Sequence, residues 1–333
     1  VSAILSEGRA GIGRRPAAAV KGVIALEILD PVCYGLPDPR KTSQRTGSFV
    51  NPPTLEDASM PLKTSAWVDR RKRQAKLAEK ETAPPKAFFG YETVPEAEKE
   101  NRVRRHFNSV ARHYDFMNTL LSFGIHYAWK RQSVRMMGLK PGGRVLDLCG
   151  GTGDLAILAA RRVAPSGRVV ICDINWEMMA AGRGKVAASA NGRRICHTQG
   201  NAEQIPFADG SFNAAMVGYG IRNVTHPEQG FREMFRVLAP GGVMMCLEFS
   251  KPTNPVFRWL YDFYSFHIMP ELGEILTGSR QAYTHLPESI RTFPLPDELS
   301  EMLRSIGFAR VGYRRQTNGI SVVHVARKAG GLA

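Results

Sequence analysis

The chain has 333 residues, 43% of them hydrophobic, and a formal net charge of +15. That length can bury one large core with an appendage, and no run of about 18 apolar residues occurs that could cross a bilayer. The charge is uneven: residues 1–59 carry seven basic against six acidic side chains, 60–86 eight against three, and 87–333 thirty against 21. A basic surface attracts nucleic acid or anionic lipid headgroups, although solvated lysines and arginines suit a soluble protein equally well. The five cysteines, Cys33, Cys149, Cys172, Cys196 and Cys246, form no CxxC pair, and three lie in strand-like apolar runs. This favours buried thiols in a reducing compartment over a zinc site or a disulfide framework.

In chain order, residues 1–86 read as a largely irregular extension rich in Pro, Ser, Gly and Ala. Within it, Val23–Leu29 is a short apolar element. Trp67–Glu81 reads as a charged, solvated helix containing the basic run Arg70–Arg73, before the linker Ala83-Pro84-Pro85. The first methionine is Met60, which suggests translation from that point. A mitochondrial transit peptide is the rival reading, disfavoured by the six acidic residues of 1–59. Residues 87–330 form the main domain. Helices are expected at Asn101–Asp115 and Ile125–Met137 from apolar residues at three- and four-residue spacing. Alternation follows: strand Arg144–Leu148, helix Asp154–Val163, strand Arg168–Cys172, helix Trp176–Ala188 and a strand near Arg194–Gln199. Strand Ala214–Val217, helix Glu228–Leu238 and strand Val243–Phe249 continue it. Such repetition implies a parallel sheet covered on both faces. Pro255–Leu295, rich in aromatics, interrupts the pattern as a substrate-side insertion or lid. A helix at Asp297–Ser305 and strands Ala309–Tyr313 and Ser321–Ala326, around the turn Asn318-Gly319, close the domain.

The chemistry begins at Val145–Asp154 (VLDLCGGTGD), a hydrophobic strand running into a glycine turn and then a helix. Glycines allow the sharp turn and a close ligand approach, and free N–H groups at the helix start favour polar ligand atoms. Asp173 stands 20 residues beyond Gly153, at the end of the next strand, where a carboxylate can accept ribose hydroxyls. These two signals fit a dinucleotide or an adenosyl cofactor. Asn201-Ala202-Glu203, followed by Ile205-Pro206-Phe207, supplies a polar side chain, a backbone amide and an apolar face for adenine, which favours S-adenosylmethionine over NAD.

From Phe89 to Lys328 the sequence resembles the ubiquinone/menaquinone biosynthesis C-methyltransferases, a bacterial family with a mitochondrial branch. The resemblance is carried by FGYETV (Phe89–Val94), YDFMN (Tyr114–Asn118), SFGIHYAWKR (Ser122–Arg131) and LDLCGGTGDL (Leu146–Leu155). NAEQIPF (Asn201–Phe207), GIRNV (Gly220–Val224), LEFSKP (Leu247–Pro252), YDFYSFHIMP (Tyr261–Pro270) and ESIRTFP (Glu288–Pro294) add to it. It implies a class I S-adenosylmethionine-dependent methyltransferase: a Rossmann-like, mostly parallel seven-stranded sheet, helices on both faces and an N-terminal helical lid. It implies C-methylation of a polyprenylated quinol, demethylmenaquinol or 2-polyprenyl-6-methoxy-1,4-benzoquinol. Cofactor positions fall on Thr152 with Gly151 and Gly153, on Asp173, and on Asn201 with Ala202. Gly218 stands where the family has a serine, so that hydroxyl is missing.

A quinol carbon becomes nucleophilic when its hydroxyl loses a proton, and phenols have a reference pKa near 10, so a base or a cation is needed. Arg222, after the fourth strand, is the candidate cation; a surface arginine is the plain alternative. His126 and His267 are candidate proton acceptors, or packing residues. Tyr114, Asn118, Asn223, Tyr283, Ser289 and Arg291 are candidates for the substrate pocket, or for loop support. The aromatic run Phe257–Phe266 suits a prenyl tail, a membrane interface, a core or a dimer contact. The partners expected are the quinol, with peripheral membrane contact and a homodimer left open, and no nucleic acid. The location expected is cytoplasmic or at the inner membrane, the mitochondrial matrix being the alternative. An RNA or other small-molecule methyltransferase on the same fold is the competing reading.

Overall fold

Four runs of the sequence are apolar at both odd and even positions, which suits strands buried on two faces. Val145, Val169, Ile171, Met216 and Met245 join one hydrophobic cluster. Leu146, Leu148, Val170, Ala215, Val217 and Met244 join a second cluster on the opposite face. A period of two places neighbours on opposite sides of the pleat, so each strand feeds both layers.

The computed structural model describes residues 85–330. The elements expected at Val23–Leu29 and Trp67–Glu81 lie outside the described residues. A hairpin of β1 (Lys86–Phe89) and β2 (Glu92–Pro95) comes first, then helices α1 (Glu96–Val110), α2 (Tyr114–Leu121) and α3 (Ile125–Met136). The alternating part contains β3 (Arg144–Leu148), α4 (Asp154–Val163), β4 (Arg168–Asp173), α5 (Trp176–Ala188) and β5 (Ile195–Gln199). It continues with β6 (Phe212–Gly218), α6 (Pro227–Val237) and β7 (Leu238–Phe249). Helices α7 (Pro255–Phe263), α8 (Met269–Thr277), α9 (Arg280–Thr292) and α10 (Pro296–Ile306) precede β8 (Ala309–Gln316) and β9 (Ser321–Arg327).

The seven-stranded sheet has the order β5-β4-β3-β6-β7-β9-β8. Pairs β3–β4, β4–β5, β3–β6 and β6–β7 are parallel, whereas β9 runs antiparallel to both β7 and β8. The strands wind outward from β3 in one direction and from β6 in the other. The crevice beyond the carboxyl ends of β3 and β6 is therefore the switch point where open α/β sheets bind ligands.

Three expectations shift. The helix expected at Asn101–Asp115 begins earlier, at Glu96, where Glu96 and Glu98 favour the positive helix start. It stops at Val110; a single turn at Ala111–His113 then redirects the backbone, so Tyr114 and Asp115 open a separate helix. Strand β7 starts at Leu238 rather than Val243, with a register shift opposite Phe212 and Ala214 that absorbs Pro240-Gly241-Gly242. The insertion is helical, with a π-helical stretch at Tyr264–Ile268 between α7 and α8.

Candidate active site

The glycine turn joins β3 to α4. Gly153 takes φ = 84°, and a Cβ there would lie 2.8 Å from Val186 Cγ2, so both conformation and packing call for glycine. Above the turn, the carboxylate of Asp173 closes β4. Its Oδ2 accepts from the Gly151 N–H and its Oδ1 from the Asn175 N–H, each at 2.8 Å. A carboxylate offers about four acceptor sites, so capacity remains for a hydroxyl group of a ligand beside these donors. Burial raises the Asp173 pKa to about 6, against the opposing pull of those backbone donors.

Asp147 lies beneath the same turn and is fully buried. Its two carboxylate oxygens have no hydrogen-bond partner, and the Ala156 N–H faces it outside hydrogen-bonding geometry. Burial lifts its pKa to about 8. Both acids line a cavity at the switch point, together with Gly151, Thr152, Asn201, Ala202 and Gly218. An orphaned carboxyl in that wall fits a ligand that brings its own cationic group, as S-adenosylmethionine does.

The lid over this cavity is α1, which contributes Glu100, Val103, Arg104 and Phe107. Polar contacts hold it down: Lys99 Nζ donates to the Val224 carbonyl at 2.8 Å, and Asn175 Nδ2 donates to Asn108 Oδ1 at 2.8 Å. Asn201 Nδ2 reaches Glu100 Oε2 at 3.2 Å, while its Oδ1 accepts from the Glu203 N–H. On α2, Asp115 accepts from the Thr152 hydroxyl at 2.7 Å and from Lys185 Nζ at 2.6 Å. Thr152 therefore lines the cavity with its hydroxyl already engaged. Gly218 also lines it, and the place of a side chain there is taken by Leu155, whose Cδ1 would lie 2.6 Å from an added Cβ.

A second, larger cavity abuts the first, at about 370 Å³ against about 120 Å³. Its wall is mainly apolar and aromatic, from α2, α3, α7 and α9. Phe107, Tyr114, Lys130, Tyr219 and Asn223 line both cavities, so they mark the junction across which a group would pass. Arg222, His126, Asn118 and Tyr283 line the second cavity, as do His106 and His285.

Arg222 is not the surface arginine of the plain reading: it forms a buried ion pair with Glu248, Nη1 to Oε2 at 2.9 Å. The same Nη1 donates to the Tyr219 carbonyl, and Nε donates to Ser289 Oγ at 3.3 Å. Among the described residues Nη2 donates to no protein group, which leaves it for a ligand oxygen. Burial lowers the pKa of His126 to about 4, of His106 to about 4 and of His285 to about 3, so all three rings are neutral at pH 7. His126 Nδ1 pairs with Ser122 Oγ at 2.7 Å, and His285 Nε2 with Asn223 Oδ1 at 3.3 Å.

Three expected site residues fall elsewhere. His267 is exposed, against the Phe263 ring at 5.1 Å, and lines neither cavity. The π-helical stretch, with i→i+5 bonding, changes which face each residue of that segment presents, and sequence spacing alone does not register it. Arg291 is buried in an ion pair with Asp262 and donates to the Pro287 carbonyl at 2.9 Å, so it braces α9 against α7. Ser289 reaches the cavity only through Arg222. Conversely, Asp147, His106, His285, Lys130 and Tyr219 escaped the sequence reading. The apolar strand around Asp147 was its one available signal, because a carboxylate in a buried run needs a reason.

The switch-point cavity, its two carboxylates and the strand order define a class I S-adenosylmethionine-dependent methyltransferase. A solved structure of the [4+2]-cyclase SpnF superposes with a TM-score of 0.50 at 16% identity, covering 69% of this chain and 96% of that one, a likeness of fold alone. Residues 96–328 match the model of the ubiE/COQ5 methyltransferase family, and the chain belongs to that family. It is 44% identical to the ubiquinone/menaquinone biosynthesis C-methyltransferase UbiE of Stutzerimonas stutzeri (strain A1501) over 242 residues, 73% of this chain and 94% of that one. It is 45% identical to the UbiE of Pseudomonas putida (strain W619) over 244 residues, 73% and 95% of the two proteins. Among the described residues no helix is long and apolar enough to cross a membrane.

Proposed function

We propose that the protein methylates a ring carbon of a polyprenylated quinol, demethylmenaquinol or a 2-polyprenyl-6-methoxy-1,4-benzoquinol, and that it meets this substrate in peripheral contact with a lipid surface. The observation that carries the reading is the junction of an acid-lined cofactor cavity with an apolar cavity holding one buried guanidinium. Bound S-adenosylmethionine supplies an electrophilic methyl group. Asp173 accepts the ribose hydroxyls, Asn201 and Ala202 face the adenine, and Asp147 faces the cationic end.

Arg222 Nη2 would hold the quinol oxygen while its proton passes out to water. The ring carbon would then form its bond to the methyl group as the S–CH3 bond breaks, and S-adenosylhomocysteine would leave. Loss of the ring C–H proton, with reprotonation of the oxygen, would restore the quinol. Transfer of a phenolic proton to an imidazole whose conjugate acid has a pKa of about 4 is uphill by about 8 kcal/mol in the absence of help. His126 alone is therefore too weak a base, and stabilisation of the phenolate by Arg222 must carry most of the activation. Aromatic walls and the closed lid exclude water, which strengthens that charge interaction. Tyr114 and Asn223, at the junction, orient the ring carbon toward the cofactor cavity.

The test is direct. Purified protein with methyl-labelled S-adenosylmethionine and either reduced quinone should yield a product carrying the label on a ring carbon, read by mass spectrometry. Absence of ring methylation on both quinols, with the cofactor bound, would sink the proposal.

A further inference from the structure

The surface around the mouth of the larger cavity is itself apolar. On α2, Phe116 and Leu120 share one face, and Phe123 follows just past the helix end; Phe116 is 58% and Phe123 83% exposed. On α7, Val256, Trp259, Leu260 and Phe263 form a stripe at three- and four-residue spacing. Val256 and Trp259 are 68% and 67% exposed, and the helix has no buried residue. Its opposite face, Phe257 and Tyr261, packs on the core, so α7 is apolar on two sides.

The two stripes meet. The Phe123 ring lies 6.2 Å from that of Tyr264, and the Tyr264 hydroxyl donates to the Leu121 carbonyl at 3.0 Å. Leu121, Phe123, Leu260 and Tyr264, at this seam, also line the cavity, so its mouth opens within the patch. From Phe116 to Trp129 the sequence contains no Asp, Glu, Lys or Arg. A helix with an exposed apolar stripe at helical spacing and its polar residues confined to the remaining face suits an interface, and exposed aromatics of this kind partition into the headgroup–acyl boundary of a bilayer. Two cations stand beside the stripe: Arg258 lies within α7, and nearby Lys251 has its pKa lowered by burial first and by the Arg258 charge second, with Asp262 opposing. The only acid of α7, Asp262, is tied to Arg291. The helix therefore offers basic charge, rather than acidic, to a surface of lipid phosphates.

We propose that the stripe of α7 and the Phe116–Phe123 edge form one bilayer-docking face, with the cavity mouth opening into the lipid. This rests on the quinol reading for its purpose; the docking itself is tested separately. Full-length protein is sedimented with phosphatidylcholine vesicles, with and without phosphatidylglycerol. The assay runs in about 0.5 M NaCl, which screens binding through the basic run Arg70–Arg73. The test variant is Val256→Ser/Trp259→Ser/Phe263→Ser, and Phe116→Ser is the independent second; none of these residues lines the cavity. Wild type should bind both vesicle types. The triple variant should lose at least about tenfold in vesicle affinity, with an unchanged melting temperature and unchanged methylation of a quinol bearing one isoprene unit. Equal vesicle binding by wild type and both variants overturns the proposal. So does a wild-type dimer that the triple variant dissociates without vesicle binding by either, because the face would then join two copies. If vesicles bind as expected and no quinol is methylated, the docking face stands and the quinol reading falls.

Discussion

At the scale of single residues, the two cavity acids set opposite requirements on folding and binding. The Asp147 carboxyl titrates at about 8 in the folded state against 3.8 when unfolded, because burial disfavours its charged form. A raised carboxyl pKa means stability that is complete below the unfolded value and lost as pH rises through the folded one. Asp147→Asn should thus match wild type in melting temperature near pH 4, and exceed it increasingly toward pH 8. The effect is on the order of 4 kcal/mol at neutral pH and still rising there. Thermal melts across that range in the absence of cofactor check it, and a constant difference would show that burial of charge is not the cause. Asp173 must be ionised to accept ribose hydroxyls, and its pKa is raised to about 6. With Asp147→Asn removing the second titrating acid, cofactor affinity should therefore weaken as pH falls through about 6 and level off above 7, as calorimetric titration at several pH values would reveal. Arg222→Ala should reduce turnover by roughly 10²- to 10³-fold through loss of a preorganised cation, with cofactor affinity nearly unchanged. The variant also strands Glu248 as a buried unpaired acid, at a cost of about 3–5 kcal/mol. Turnover must therefore be measured below its lowered melting point, and unchanged turnover there would remove Arg222 from the chemistry.

At the scale of elements, the lid helices and the sheet obey different logic. Strands β3, β4, β6 and β7 were legible because both faces are buried, and glycine or proline punctuates their ends. The hairpin β1–β2 was not: its strands are four residues long, bury one residue each and, among the described residues, pair only with each other. Its FGYETV segment was visible as a motif, but not as a structure. Among site residues, those in the glycine turn and at strand ends could be placed from sequence, since topology brings strand ends together. His106 and His285 could not, because α1 and α9 converge only through tertiary packing, with Phe89 stacked on His285 at 4.0 Å. The break between α1 and α2 was hidden for a similar reason: Asp115 is held by Thr152 and Lys185, residues 37 and 70 positions away. That contact makes the lid testable. Asp115→Ala removes two charge-assisted or neutral hydrogen bonds between α2 and the cofactor-binding framework, while Lys185 keeps its pairing with Asp154. The lid should open more often, and cofactor dissociation should accelerate by about tenfold, in line with about 1.5 kcal/mol for such bonds. Stopped-flow displacement reads this directly; an unaltered off-rate would mean that α1 alone retains the cofactor.

At the scale of the whole molecule, cofactor and fold are coupled through the switch point. The cavity wall draws on β3, β4 and β6, on the segment after β5, and on the lid, so a ligand there bridges most of the parallel half of the sheet to the N-terminal helices. A ligand that binds only the native state stabilises it by mass action, about 2.7 kcal/mol at a hundredfold excess over its dissociation constant. For a domain of roughly 250 residues each kcal/mol raises the melting temperature by about 2–4 °C. S-adenosylmethionine should therefore raise it by about 5–10 °C at that excess. At a pH above 8, where Asp147 and Asp173 are both ionised, NADH shares the ribose that Asp173 recognises but brings two anionic phosphates to a cavity walled by these two acids, and should raise it by less than a degree or two. Asp147→Asn sharpens the comparison, because it removes the acid that favours a cationic ligand and so narrows the gap between the two cofactors. A scan in which NADH stabilises the wild-type protein as strongly as S-adenosylmethionine would mean that the acids of this cavity do not select its ligand.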